Sequence, residues 1–186
     1  VIISDSNQCS TTLNFTLTQP DAALSLSLTD TDITCFGLTN GSISSSVNGG
    51  IANYTYAWKK DGSSINATTA NINNLGTGTY ELTVTDNNGC TITKTATITQ
   101  PDDLTITETI TDFEGFEISC FGANDADINI EVNGGTPNYT YQWSTSTGGT
   151  GLKVNQADQT GLSPGTYKVV VTDDNGLSLI HISGAH

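Results

Sequence analysis

Arginine and methionine are absent from this 186-residue chain, histidine occurs only twice, and charged residues make up 13% of it. That charged share is about half the ~25% usual for globular chains. The five cationic side chains are all Lys and face nineteen acidic ones, for a net charge of -14. Such a polyanion is a poor partner for nucleic acid or anionic lipid, which both require cationic neutralisation. No apolar run approaches the ~18–20 residues that cross a bilayer, and no basic-then-apolar signal opens the chain. Membrane insertion is therefore not expected in this segment. Without Met, Val1 is not a translational start, and the chain is expected to be an interior or trimmed piece of something longer, with any export signal or anchor outside it. Catalytic signals are equally scarce. The body has no G-x-S-x-G and no His, because His181 and His186 both lie in the last ten residues. Ser/His/Asp chemistry then has no base, no Cys/His cluster suits zinc, and no enzyme is expected.

What is abundant is Thr, with 32 residues, and Gly, with 19. The branched Cβ of Thr favours the pleated strand over the helix. The chain also repeats itself, which bears on fold before any local detail does. Cys35 to Trp58 reads CFGLTNGSISSSVNGGIANYTYAW, and Cys120 to Trp143 reads CFGANDADINIEVNGGTPNYTYQW. Leu75–Gly89 reads LGTGTYELTVTDNNG and Leu162–Gly176 reads LSPGTYKVVVTDDNG. Residues 1–20 match 82–101, with Cys9 under Cys90. The expected organisation is the C-terminal hairpin of a preceding repeat at 1–21, a complete repeat at 22–101, and a further repeat at 102–186. A unit of this length suits small autonomous domains rather than a solenoid.

Within a repeat the apolar period is two. Leu104 and Ile106 open a first strand. Ile43 to Val47, with Ile128, Ile130 and Val132, mark a second. Tyr54, Tyr56 and Trp58 share a face of a third, and Tyr80, Leu82 and Val84 share a face of a later one. Asn48-Gly49-Gly50 and Asp86-Asn87-Asn88-Gly89 are turn signals, and Thr91 to Thr99 is the last strand. No 3.6-residue period appears. Short strands with regular turns predict an all-β chain of tandem antiparallel β-sandwiches. Trp58 and Trp143, with Tyr80 and Tyr167 after the L-x-x-G-T corner, are the expected core.

The ordered set C-F-G-x-x-(N/D)-x-x-I, V-N-G-G, Y-T-Y-x-W, L-x-x-G-T-Y-x-(L/V)-x-V-T-D-x-N-G and I-T-Q-P resembles the SprB-type repeat of surface adhesins in gliding Bacteroidetes. The resemblance covers nearly all of residues 1 to 176. It implies immunoglobulin-like repeats, exported by the type IX system to the outer-membrane-attached cell surface. There they would form a stalk or adhesive filament with neighbouring repeats as partners and surface polysaccharide or other glycans as candidate ligands. The alternatives are a carbohydrate-binding module of a secreted hydrolase and a passive spacer.

Several residues are candidates for chemistry. Asp86 and Asn88, Asp173 and Asp174, and Asp102 and Asp103 supply hard oxygens near the expected joints, which suits calcium. The same residue types also satisfy turn backbone. Asn124, Asp125 and Asp127 form a second cluster, weakened by Asn40 and Ser42 in the sister repeat. Simple counting pairs Cys35 with Cys90 as a disulfide within the complete repeat, although an immunoglobulin-type topology sets them a strand length apart, which leaves unpaired buried thiols as an alternative. The other scheme links the bottom of one repeat to the top of the next, so that Cys35 faces position 177, here Leu. Tyr54, Tyr56 and Trp58 could stack on sugar, but a same-face aromatic run is more often core. Asp112, Glu114 and Glu117 have no counterparts in the sister repeat and read as a solvated loop. Residues 177–186 (LSLIHISGAH) break the Thr alternation and read as a scar or artefact, or as a short irregular final strand through Leu177, Leu179 and Ile182.

Overall fold

The computed structural model describes residues 1–185, and His186 lies outside the described residues. The described residues form strands and no helix. In the opening segment β1 (Ile2–Ser4) pairs with β2 (Ser10–Thr12). The first complete repeat supplies β3 (Ser25–Thr31), β4 (Gly41–Asn48), β5 (Thr55–Lys60), β6 (Ser63–Ile65), β7 (Ile72–Leu75), β8 (Gly78–Thr85) and β9 (Thr91–Ile98). The second supplies β10 (Thr105–Ile110), β11 (Ala126–Asn133), β12 (Thr140–Thr147), β13 (Gln159–Leu162), β14 (Gly165–Thr172) and β15 (Ser178–Ala185). The first repeat has sheets β3-β4-β7 and β6-β5-β8-β9; the second has β10-β11-β13 and β12-β14-β15. Each repeat is an immunoglobulin-like antiparallel sandwich, and the two share one strand order apart from β6.

Cα proximity divides the chain into two compact units. One holds residues 1–29, 44–71 and 80–96; the other holds 30–43, 72–79 and everything from 97 on. The division does not follow the sequence repeat.

Alternation becomes burial. On β8, Tyr80, Leu82 and Val84 are buried, and on β14 so are Tyr167, Val169 and Val171. The neighbouring strand places each Trp in the same register: Trp58 lies opposite Leu82, and Trp143 opposite Val169. Both indoles are 2% exposed, and a buried Trp removes ~150–250 Å² from water. In the second repeat the core joins Ile118, Ala126, Ile128 and Ile130 to Trp143, Leu162, Tyr167, Val169 and Val171. The indole N–H groups are not stranded. Trp58 Nε1 donates to Thr69 O at 2.9 Å and Trp143 Nε1 to Gln156 O at 2.8 Å. Tyr167 Oη donates to Ser163 O at 2.6 Å, closing the turn four residues upstream.

The N-G-G turns grip the chain where it enters each repeat. Gly50 N donates to Ala22 O, and Gly135 N donates to Asp102 O. Gly134 has φ +76°, and a Cβ there would overlap the carbonyl oxygen of Asp103. Only Gly combines that backbone with so close an approach.

Two sequence expectations change. Strands β6, β7 and β13 have no clear period-two signal, because they are short and largely polar. The end of the second repeat is a full strand rather than a short irregular one, with β15 pairing along β14 from Thr172↔Ser178 to Gly165↔Ala185. Its face is set by the pleat. Ser183 is buried, while Ile180 and Ile182 point to solvent at 55% and 63% exposure. Ser183 Oγ donates to Glu108 Oε2, and His181 Nε2 lies 3.0 Å from the same oxygen. Glu108, on β10, gives the polar residues of β15 an inward partner.

Trp143→Ala should lower unfolding free energy by about 3–5 kcal/mol in denaturant melts. A loss below about 1 kcal/mol would contradict the core placement of the indole.

Candidate functional site

Three hairpins carry the same carboxylate knot. Asp5 Oδ1 accepts the backbone N–H of Asn7 and of Cys9, each at 2.9 Å. Asp86 Oδ1 accepts from Asn88 N at 3.0 Å and Cys90 N at 2.9 Å, while its Oδ2 accepts from Ile51 N at 3.0 Å. Asp173 repeats the pattern with Asn175 N, Leu177 N and Thr136 N at 3.0, 2.8 and 2.8 Å. Asp86 and Asp173 are both buried. Each ties its hairpin to the turn after the second strand of the repeat. The Ile51 N–H holds the Asp86 carboxyl below its usual range, desolvation opposes it, and the Cys90, Asn88 and Gly89 N–H groups reinforce it.

The other four residues read as calcium ligands are exposed: Asn88, Asp102, Asp103 and Asp174. The oxygens of Asp86 and Asp173 serve backbone donors. Among the described residues no group of three or more His, Cys, Asp or Glu is placed to hold a metal ion. The second acidic cluster also serves backbone. Asp125 Oδ1 accepts from Ser119 N at 3.2 Å, and Asp125 Oδ2 accepts from Ser119 Oγ. The Ser119 hydroxyl and then its N–H lower the Asp125 carboxyl. In the sister corner Asn40 does the same work, accepting from Thr34 N at 3.2 Å and donating to Thr34 Oγ1 at 2.7 Å. Asn therefore replaces Asp without loss of the motif. Asp127 Oδ1 accepts from Gly161 N at 3.1 Å.

The aromatic run does not form a surface stripe. Trp58 and Trp143 are buried, and Tyr54, Tyr56, Tyr139 and Tyr141 are half-buried. Tyr54 Oη and Tyr139 Oη donate to Gly49 O and Gly134 O, each at 2.6 Å, bracing the N-G-G turns. Desolvation, with the charge of Asp158 second, raises the Tyr141 phenol.

The expected Cys35–Cys90 bridge is not formed, and both thiols are free. Strand geometry explains why. Cys90 immediately precedes β9, whereas Gly37 N donates to Gln100 Oε1 just beyond the end of that strand. Eight residues of strand span roughly 26 Å, and bridged Cα atoms must lie within ~7 Å.

Among the described residues, the His181–Ser183–Glu108 cluster yields no nucleophile–base pair. His181 and Ser183 both address Glu108 rather than each other. Asp112 caps its own loop, accepting from Gly115 N at 2.6 Å. A cavity of about 600 Å³ is largely apolar, with Phe116, Ile118, Cys120, Phe121 and Pro164 in its wall.

The Asp86 knot has a pH signature. Its folded pKa is depressed, so its contribution is complete above the unfolded Asp value of ~3.9 and is lost as pH falls through the folded value. Asp86→Asn should therefore lower the melting temperature at pH 7, and the gap from the parent chain should narrow below about pH 4. A gap that stays constant across that range would contradict the knot.

The family model described as the SprB repeat matches residues 27–63 and 117–150. No curated protein matches the chain. One similar solved structure holds three N-terminal domains of the highly immunogenic outer capsid protein of bacteriophage RB49. It is 19% identical, with TM-score 0.47, and the match covers 86% of this chain and 58% of that one. Another holds the N-terminal eight Ig domains of Down syndrome cell adhesion molecule isoform 1.30.30. It is 13% identical, with TM-score 0.47, covering 86% of this chain and 24% of that one. This chain thus spans little more than half of the first and about a quarter of the second. The two segments that match the SprB repeat model each run through a C-F-G corner to a Trp-bearing strand.

Proposed function

We propose that the chain is a non-enzymatic repeat segment of a large secreted cell-surface adhesin, exported by a type IX system in a gliding bacterium. Its repeats would form a stalk that supports multivalent attachment. The observation that carries this reading is the pair of SprB repeat segments, because SprB repeats belong to surface-exposed adhesins. Immunoglobulin-like and SprB domains are non-catalytic types, and the Asp5, Asp86, Asp125 and Asp173 carboxylates accept backbone hydrogen bonds in turns.

The surface chemistry fits weak, repeated contact. Outward Thr and Ser hydroxyls run across the strands, with Thr83 Oγ1 and Thr93 Oγ1 at 3.0 Å and Thr172 Oγ1 and Ser178 Oγ at 2.8 Å. Neutral hydroxyl faces suit hydroxyl-rich polysaccharide, each contact being small. Tethering many such faces converts later contacts into intramolecular ones and raises avidity without new chemistry. The net charge of -14 keeps neighbouring chains apart. A carbohydrate-binding module working through stacked indoles is disfavoured, because both Trp side chains are buried.

Beads bearing the chain at graded densities should be retained on polysaccharide-coated glass under flow. Retention should rise more steeply than density, and intrinsic Trp emission should not change with free sugar. Absence of retention at every density would overturn adhesion and favour a passive spacer.

A further inference from the structure

The C-F-G corner recurs in both repeats, and neither the core nor the proposed adhesive faces use it. We infer that this corner is a socket for the D-x-N-G hairpin of the repeat that follows. We further infer that Cys35 stands in the socket facing position 177, so that a hairpin thiol at that position crosslinks successive repeats.

Three observations carry this. First, Asn175 Nδ2 donates to Thr34 O at 2.6 Å, and also to Thr136 Oγ1 of its own repeat at 2.8 Å. Thr34 directly precedes Cys35, and Asn175 stands two residues before Leu177. Residues 30–43 and the whole second repeat belong to one compact unit. Second, the two corners differ where they should otherwise match. Cys35 is half-buried and Phe36 is 45% exposed; Cys120 is exposed and Phe121 is 109% exposed. The corner against the Asn175 hairpin is the covered one, and the other keeps the open apolar cavity. Third, Leu177 occupies the place that Cys9 and Cys90 hold in the sister hairpins, two residues after an Asn or an equivalent turn residue and clamped by the same Asp carboxylate. The hairpin thus brings its Cys position to the corner at which the preceding repeat carries its own.

Closure is a two-electron oxidation. Each thiol gives up a proton, one S–S bond forms, and glutathione disulfide takes the electron pair and both protons to become two glutathione thiols. The full chain with Leu177→Cys, held in glutathione disulfide, should form a bridge between Cys35 and the introduced thiol, seen by non-reducing peptide mapping as a loss of two hydrogens. Cys is native to the sister hairpins, so the substitution keeps the knot. A folded chain whose introduced thiol remains reduced, or whose Cys35 pairs with Cys90, would overturn the inference. A second readout needs no new thiol. Iodoacetamide should label Cys120 several-fold faster than Cys35 in the parent chain, and Asn175→Ala should bring the two rates together. Equal rates in the parent chain would also overturn it. Neither readout depends on adhesion, so failure of one reading leaves the other standing.

Discussion

A Trp side chain leaves water favourably only if its ring is packed and its N–H finds an acceptor. Both conditions are met twice in this chain, at equivalent places. Trp58 and Trp143 sit on the third strand of their repeats, opposite Leu82 and Val169. Their N–H groups end on carbonyls of the long connection that follows, at Thr69 and Gln156. That one hydrogen bond fastens an irregular segment to the core. Without it, a stretch with little apolar surface of its own would have little reason to adopt one path. The strands that follow, β7 and β13, can then pair with β4 and β11.

Around this core, polar residues act on the backbone. Asp86 and Asp173 draw three N–H groups each into a buried carboxylate. Asp125 and Asn40 close the C-F-G corners. Tyr54 and Tyr139 brace the N-G-G turns. Buried backbone donors must find acceptors, and a domain poor in charged residues meets that need with a few well-placed carboxylates and amides. Asp86 and Asp173, which read in isolation as metal ligands, thus accept backbone hydrogen bonds in turns.

Legibility followed periodicity. The strands β4, β8, β9, β11 and β14 alternate cleanly, so their buried faces were evident from residues such as Leu82 and Val169. The hairpins announced themselves through Asn and Gly. Strand β13 did not, since only one of its two buried residues, Leu162, is apolar and the other is Gln159. That side chain is buried because Lys153 N, Lys153 O and Gln156 O satisfy it, and these partners become neighbours only after folding. Strand β15 misled for a related reason. Its two Ile face solvent while His181 and Ser183 face inward, and Glu108 on β10, which makes this tolerable, is more than seventy residues away in sequence. The carboxylate knots were half legible. The recurrence of Asp with Asn and Gly marked the site, but the backbone donors from Ile51 and Thr136 lie some 35 residues away.

The claim beneath the rest is that the two repeats fold alike around a capped, dry indole. Single-Trp chains test it most directly, with Trp58→Phe reporting Trp143 and Trp143→Phe reporting Trp58. Acrylamide quenching of each should be weak, nearly equal for the two, and should rise together on unfolding. One indole quenched as freely as in the unfolded chain would show that the repeats do not share a core.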